Sequence, residues 1–235
     1  MLQKLHRGWL ETFNLPFQIL EDLRSKGGDS QKLELLRTFV ENNIHEEVHT
    51  HLEQRAVDFL GALLKKDTVF YKSDGEEKRE FLLFLCIQYG RTNKIRTNVF
   101  ENAAKAARDK LGINLEKVWN PLVHIFATNI AFWLSWDTFK LILLENQSGV
   151  PFITGDQPVL NTHATNIAPG EMVEKLELYY PLSPRLALLL TKEREEVEGE
   201  ILVVGPSVVQ EYNWHVFKSA RNEVYADAKD VLDGY

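Results

Sequence analysis

The sequence predicts an α+β protein: an N-terminal helical half packed on a small, mostly antiparallel sheet, with a C-terminal helix. Two observations carry this prediction. Before Thr138, apolar residues recur every three or four positions, which is the period of an amphipathic helix. After Thr138, short apolar runs alternate with turn residues, as they do in strands and hairpins. We therefore expect a single unit, residues 1–235, made of a helical half (1–138) and a β-rich half with a closing helix (139–235).

The first part of the helical half is predicted from a proline that interrupts one helix and from a stripe of apolar residues along the next. Residues 2–24 are expected to be helical in two pieces, because the residue before Pro16 avoids the helical region. A long amphipathic helix follows and ends near Lys66. Its apolar stripe consists of Leu33, Leu36, Val40, Ile44, Val48, Leu52, Ala56, Phe59 and Leu63.

Two further helices are predicted before the change at Thr138. One begins at Glu76, bends near Gly90 and stops before Gly112, and Asn114 caps the next. That last helix contains the stretch 118–136, which has no charged residue and is long enough to be considered as a membrane span. Its asparagine, histidine, threonine and serine side chains would be costly in hydrocarbon. We expect a buried helix and no membrane partner.

The β-rich half is predicted from short runs bounded by turn residues. Residues 140–145 and 150–154 are expected to form a hairpin through the turn at 147–149. Ser207 is expected to cap a closing helix that ends near Ala220. Three more strands are predicted, at 175–180, 185–191 and 200–204.

The charge balance and the cysteine content restrict the partners and the location. The formal net charge is -7 and the isoelectric point is about 5.6, so a nucleic-acid role requires a local basic patch. The one cysteine, Cys86, lies in an apolar run and is predicted to be a small core residue. A single thiol forms no disulfide framework, and no secretion signal is recognised. We expect a cytoplasmic location.

One short motif matches a metalloprotease signature. His45-Glu46-Glu47-Val48-His49 fits H-E-x-x-H, and on a helix both histidines would share a face that could hold zinc. An HExxH zinc hydrolase is therefore one alternative function. Against it, Glu47 adds a charge to the motif, and the two histidines flank the apolar stripe. We expect a polar helix flank and no metal bound by His45 and His49.

Three segments together carry a family resemblance. The first, residues 80–92 followed by Arg96, is an apolar helix that ends in Gln-Tyr-Gly-Arg-Thr. The second, 151–159, reads Pro-Phe-Ile-Thr-Gly-Asp-Gln-Pro-Val, and the third, 179–188, contains Pro-Leu-Ser-Pro. In this order they resemble the bacterial domain-of-unknown-function family DUF4238. The resemblance extends over residues 44–226.

The resemblance implies a fold and a site more than it implies an activity. Members of that family usually open with a His-Tyr-x-Pro-Gln segment, and nothing in this sequence matches it, so either the start is truncated or this member has diverged. Gly155 stands where they usually carry serine, so one hydroxyl is missing from the loop. The ending, with Asn213 in a helix and residues 220–225 after it, is similar to the family's ending.

The family-like segments supply the candidate site residues. Asp156 lies in a Gly-Asp-Gln-Pro turn, where its carboxylate could cap backbone N–H groups, meet Arg91 or Arg96, or bind a metal. We expect Arg91 and Asp156 to be close, either lining a small cleft between the halves or as a structural pair that ties sheet to helices. The predicted catalytic residues are Asp156, Arg91 and Ser183, and the predicted substrate-binding residues are Arg96, Thr154 and Asn213.

Three functions remain open at this stage. A hydrolase-like effector with an anion- or phosphate-accepting cleft, with nucleic acid among its candidate ligands, is motivated by the basic residues of 91–96. Asp156 with Glu145 or Glu193 could hold a divalent metal there, and no other cofactor is predicted. A non-catalytic protein-interaction module would need an exposed apolar patch. The zinc hydrolase would need a third ligand near its histidines.

Overall fold

The computed structural model describes residues 24–25, 50, 52–72, 75–112, 114–165, 173–227 and 231–232. The chain divides into two compact units, Met1–Gln54 and Arg55–Tyr235. The described residues of the first unit are helical, and the following account concerns the second. The single-unit organisation of residues 1–235 stays a prediction. His45 and His49, together with most of the predicted helices before residue 52, lie outside the described residues.

The helices of the second unit that precede the sheets end at residue 136, close to the change that the sequence predicts at Thr138. They are α1 (55–64), α2 (Val69–Lys72), α3 (Glu76–Gly90), α4 (Asn93–Leu111) and α5 (Leu115–Trp136). The predicted stop near Lys66 is confirmed, since that residue has a φ of 62° and leaves the helical region. Asn114 caps α5 as predicted, because its side chain accepts a hydrogen bond from the N–H of Glu116 at 3.0 Å.

The centre of the helical half is α3 and not, as expected, α5. The buried residues of α3 cover most of its circumference, and it packs mainly against α5. Phe81 of α3 packs on Phe59 and Phe70, with ring centroids 5.8 and 5.2 Å away. The prediction that 118–136 is a buried helix holds for one face only. The other face of α5 exposes five large apolar side chains: Ile125, Phe126, Phe132, Trp133 and Trp136.

The strands form two sheets. Their bounds are β1 (Lys140–Asn146), β2 (Thr154–Gly155), β3 (Leu160–Asn161), β4 (Leu178–Ser183), β5 (Leu186–Thr191), β6 (Ile201–Val204) and β7 (Val224–Tyr225). The larger sheet has the order β3-β4-β5-β1-β6, and β2 pairs with β7 in the smaller one. β1 runs parallel to β6, and the other neighbouring pairs are antiparallel. The predicted α+β fold with a mostly antiparallel sheet is confirmed.

The predicted hairpin between 140–145 and 150–154 is wrong. β1 pairs with β5 and β6 instead, and β2 pairs with β7. The side chain of Asn146 explains the turn between them, because its Oδ1 accepts from the N–H of Ser148 at 2.8 Å and its Nδ2 donates to Val150 O at 2.7 Å. These local bonds turn the chain away from β1.

β4 continues past Pro181, where the sequence predicts its end. Within the described ranges, β3 pairs only with Leu178 and Tyr179, and no described strand covers the outer edge of β4 from Tyr180 onward. A proline is tolerated at such an open edge, and the register shifts between Pro181 and Ser183.

The closing helix, α6 (Pro206–Ser219), packs on the sheet. Its N-cap is Gly205 and not the predicted Ser207, because Pro206 takes the first helical position, which a proline favours. Val209, Tyr212 and Val216 of α6 are buried in the core of the β-rich half. That core also contains Ile142, Leu144, Phe152, Ile153, Leu160, Tyr179, Ala187, Leu189 and Val204.

Candidate functional site

The junction between α3 and α4 meets the turn that follows β2. Thr92 leaves the helical region with a φ of -74° and a ψ of 153°, so the predicted bent helix is two helices. Its hydroxyl donates to Oε1 of Gln157, which is 3 % exposed. Nε2 of Gln157 donates to Tyr89 O at 3.2 Å and to Val159 O at 2.7 Å. Every polar atom of this buried amide is therefore paired, which ties the turn to the helices.

Asp156, the preceding residue, fixes the chain after α6. Its Oδ1 accepts from the main-chain N–H of Arg221 at 2.9 Å, and its Oδ2 accepts from that of Asn222 at 2.8 Å. Its own N–H donates to Glu223 O at 3.0 Å. Hydrogen bonds from backbone N–H groups to an ionised carboxylate are stronger than those between neutral groups. The capping role, one of the options open from the sequence, is the observed one.

The residues after α6 return to the first turns of α4. The guanidinium of Arg221 donates to Asn93 O at 3.2 Å and to the hydroxyl of Thr97. Nζ of Lys94 donates to Lys218 O at 3.4 Å, which joins segments 124 positions apart. Arg91 lies at the start of the same junction. We call Arg91, Lys94, Lys218 and Arg221 the basic junction.

The environment of the basic junction is only partly shielded from water. Arg91, Lys218 and Arg221 are exposed, and Lys94 is half-buried. Burial lowers the pKa of Lys94, and the nearby Asp156 carboxylate opposes that shift. The opposite charges of Lys94 and Asp156 therefore attract each other at this site.

Comparison with known protein families matches residues 23–230 to the family described as "Protein of unknown function (DUF4238)". The chain belongs to this family. No curated protein and no solved structure matches it. Among the residues that the structure describes, no helix is both long enough and apolar enough to cross a membrane.

Thr92 and Gln157 join the first two DUF4238-like segments by a hydrogen bond between their side chains. Each oxygen of Asp156 accepts from a main-chain N–H, and the closeness of Arg91 to Asp156 stays a prediction. Arg91 lies within electrostatic range of Tyr180 in β4. Burial raises the pKa of the Tyr180 hydroxyl, and Arg91 opposes that rise.

The remaining predicted residues of this DUF4238 member lie in separate elements and have different contacts. Thr154 is half-buried in β2, opposite Tyr225. Arg96 stacks over the ring of Phe100, 5.3 Å from its centroid. Ser183 accepts a hydrogen bond from the N–H of Arg185 at 3.2 Å, within the turn that follows β4.

Asn213 is fully buried in α6 and positions the chain before β2. Its Oδ1 accepts from Ile153 N at 3.0 Å and its Nδ2 donates to Pro151 O at 2.8 Å. Main-chain groups thus form hydrogen bonds with both the oxygen and the nitrogen of this side-chain amide. The observed contacts give Asn213 a positioning role, and a contact with substrate stays a prediction.

The carboxylates considered as metal ligands are paired with lysines. Nζ of Lys66 lies 2.6 Å from Oε1 of Glu145, and Nζ of Lys175 lies 2.9 Å from Oε2 of Glu193. Hydrogen bonds from these lysines lower the pKa of both carboxyl groups. Within the described ranges, no group of three or more His, Cys, Asp or Glu side chains is placed to hold a metal.

Sequence reasoning missed Lys218 and Arg221. Lys218 lies in the last turn of α6 and Arg221 follows that helix, and a cation near a helix C-terminus is common and signals no site. They belong to the basic junction because of where α6 ends relative to β2. Gly155 makes this approach possible, because a Cβ there would lie 2.9 Å from Glu223 O.

A second polar cluster was also missed. The carboxylate of Glu177, which is 8 % exposed, accepts from the hydroxyl of Thr162 at 2.9 Å and from Nε of Arg194 at 3.4 Å. Nη2 of Arg194 donates to the hydroxyl of Tyr212 at 2.8 Å. One helical turn further along α6, Nδ1 of His215 lies 2.7 Å from the hydroxyl of Thr165. These contacts join four separate segments and have no local sequence signal.

Proposed function

We propose that this protein is a hydrolase-like effector that accepts a phosphate-bearing ligand at the basic junction, with nucleic acid among the candidate ligands. One observation carries the proposal. Cationic side chains from the start of α4 and from the end of α6 are gathered on one surface, where hydrogen bonds hold both segments. The carboxylate of Asp156, which lies within electrostatic range of Lys94, is engaged by two main-chain N–H groups.

Local charge has to provide the affinity, because the net charge of the chain is -7. A phosphate group would receive charge-assisted hydrogen bonds from lysine and arginine, which are stronger than neutral ones. The attraction should then weaken as added salt screens it. An acidic background also limits nonspecific binding of polyanions elsewhere on the surface.

The binding experiment uses fluorescence anisotropy with short single-stranded DNA and RNA, and thermal shift with ATP and inorganic polyphosphate. The test variant is Lys94→Gln with Lys218→Gln, and the matched control is Lys105→Gln with Arg108→Gln, two exposed cations of α4. We expect about tenfold weaker binding in the test variant, which corresponds to about 1.4 kcal/mol, and little change in the control. Absence of binding by every probe, or equal weakening in both variants, contradicts the proposal.

The exposed face of α5 favours a second candidate function, the protein-interaction module. Trp136 is 77 % exposed and packs beside Phe132, with ring centroids 5.6 Å apart. Residues 118–136 carry no charge, so this face would recognise an apolar surface. A second copy of the chain is the simplest such surface. Sedimentation should show a dimer that Phe132→Ser with Trp136→Ser dissociates, and a concentrated wild-type monomer would exclude self-association.

The location and the cofactor content stay predictions of the sequence. We propose a cytoplasmic protein, in keeping with the fully buried thiol of Cys86. Burial raises the pKa of that thiol strongly, which disfavours the reactive thiolate. Elemental analysis of purified protein would reveal bound zinc or another metal.

A further inference from the structure

The contact between Thr165 and His215 defines which nitrogen of the imidazole carries hydrogen. Oγ1 of Thr165 lies 2.8 Å from Thr162 O and 2.7 Å from Nδ1 of His215. A threonine hydroxyl has one hydrogen, and a carbonyl oxygen can only accept. The hydroxyl therefore donates to Thr162 O, and Nδ1–H of His215 donates to the hydroxyl. The neutral ring is the Nδ1–H tautomer, so its Nε2 keeps a lone pair.

The surroundings of His215 favour this neutral form. The ring is half-buried, and burial lowers its pKa. The charged and titratable groups that face it are Glu211 on α6, Glu177 before β4 and His163 in the short helix after β3. The two carboxylates oppose the effect of burial and His163 adds to it. A neutral imidazole with a fixed tautomer is the form that a general base requires.

His215 lies next to one cation of the basic junction. Lys218 is three positions further along α6, and such residues are neighbours on a helix surface. The ring of Trp214 contacts both, since its centroid lies 5.3 Å from that of His215 and 5.7 Å from Nζ of Lys218. A phosphate group bound by Lys218 would therefore lie within about one helical turn of His215 on α6.

We propose that His215 is the general base that activates water to hydrolyse a phosphate ester bound at the basic junction, and that Thr165 is the residue that positions it. This inference rests on the proposed function. Nε2 takes a proton from the water molecule while the water oxygen bonds to phosphorus. The bond from phosphorus to the ester oxygen breaks, the leaving oxygen keeps the electron pair, and solvent protonates it. The protonated imidazole then returns its proton to solvent.

The test separates catalysis from binding by using two probes. Fluorescence anisotropy with short single-stranded DNA measures binding, and release of p-nitrophenol from bis(p-nitrophenyl) phosphate measures hydrolysis. His215→Gln should bind the DNA with unchanged affinity and lose about 10²- to 10⁴-fold in hydrolysis rate. The wild-type hydrolysis rate should decrease when the pH is lowered below the ordinary histidine pKa, because Nε2 becomes protonated.

Thr165 is tested by its effect on the tautomer. In wild-type protein, nitrogen NMR of the imidazole should show the Nδ1–H form. Thr165→Val removes the acceptor and should give a mixture of tautomers with slower hydrolysis, whereas Thr165→Ser keeps the hydroxyl and should restore both. An Nε2–H tautomer in the wild type overturns the assignment.

The two proposals fail in different ways. Wild-type protein that binds DNA without hydrolysing the diester, or His215→Gln protein that hydrolyses it at the wild-type rate, overturns the role of His215 and leaves the binding function intact. Wild-type protein that binds none of the phosphate-bearing probes overturns the proposed function and this inference together.

Discussion

Oδ1 of Asp156 accepts a hydrogen bond of 2.9 Å from the main-chain N–H of Arg221, 65 positions further along the chain. Asn222 supplies the second N–H, so one carboxylate holds the start of the segment that leads to β7. The side chain of Arg221 then contacts α4. The end of α6, the small sheet and the helical half are therefore connected through a single turn.

Removing this carboxylate should destabilise the fold. Asp156→Ala is expected to lower the free energy of unfolding by about 1.5–3 kcal/mol, because hydrogen bonds to a charged group are lost. Urea denaturation measures the change. Glu101→Ala, on an exposed position of α4, is the control and should change stability by less than about 0.5 kcal/mol. Equal midpoints for the two variants would show that the cap contributes nothing.

The buried amide of Gln157 gives a second stability prediction. Gln157→Ala leaves the carbonyls of Tyr89 and Val159 without this donor in a buried site, and we expect a loss of about 2–4 kcal/mol. The exposed Gln210→Ala on α6 is the matched control. A Gln157→Ala protein as stable as that control would argue that water replaces the amide.

Gly155 should resist the residue that its family usually has. A Cβ at this position would lie 2.9 Å from Glu223 O and 3.4 Å from the Cβ of Ala220, so Gly155→Ser must displace backbone. We expect a loss of about 1–3 kcal/mol in thermal or urea unfolding. At the exposed Gly149 an added Cβ meets nothing within 4 Å, and Gly149→Ser should be nearly neutral. A stable Gly155→Ser protein would mean that residues 220–223 move aside easily.

Glu198 should make stability depend on pH. Burial raises its pKa to about 7, although its carboxylate accepts from the N–H of Leu141 at 3.1 Å. The raised pKa means that the ionised form is disfavoured in the folded state, so stability is lost as pH rises from the unfolded value of 4.5 toward 7. Glu198→Gln should therefore be more stable than wild type by about 1–2 kcal/mol at about pH 8, allowing for solvent screening.

Comparing the stability of Glu198→Gln and wild type at lower pH tests whether ionisation of Glu198 is the cause. At about pH 5 the wild-type side chain is largely protonated, and the advantage of Glu198→Gln should shrink. Glu195→Gln, at an exposed position of the same loop, should show no such dependence. An advantage of Glu198→Gln that is the same at both pH values would exclude ionisation as its cause.

Local patterns predicted the elements of the fold, while the partners of the strands depended on distant residues. The cap at Asn114 and the strands at 185–191 and 200–204 follow from neighbouring residues, and all three are observed with shifts of at most one residue. The hairpin prediction failed because the true neighbours of β1 come from later in the chain. Nothing within residues 140–154 encodes that pairing.

In the candidate site too, features set by neighbouring residues could be predicted and contacts between distant residues could not. The Gly-Asp-Gln-Pro turn was recognisable, since its residue types restrict the backbone. That Asp156 would bind the chain at Arg221 could not be predicted, because it depends on how α6 lies against Gly155. His215 was overlooked for a related reason: its partner, Thr165, is 50 positions away.

The position of β1 between β5 and β6 has a consequence for synthesis of the chain on the ribosome. β1 ends at residue 146, and its neighbour β6 begins at residue 201. At about 5–20 residues per second, roughly 3–11 s pass between the two. During that interval the apolar run Leu141–Leu144 has exposed edges that can pair with another chain. Nascent chains paused before residue 186 should therefore depend on a chaperone that shields extended apolar segments.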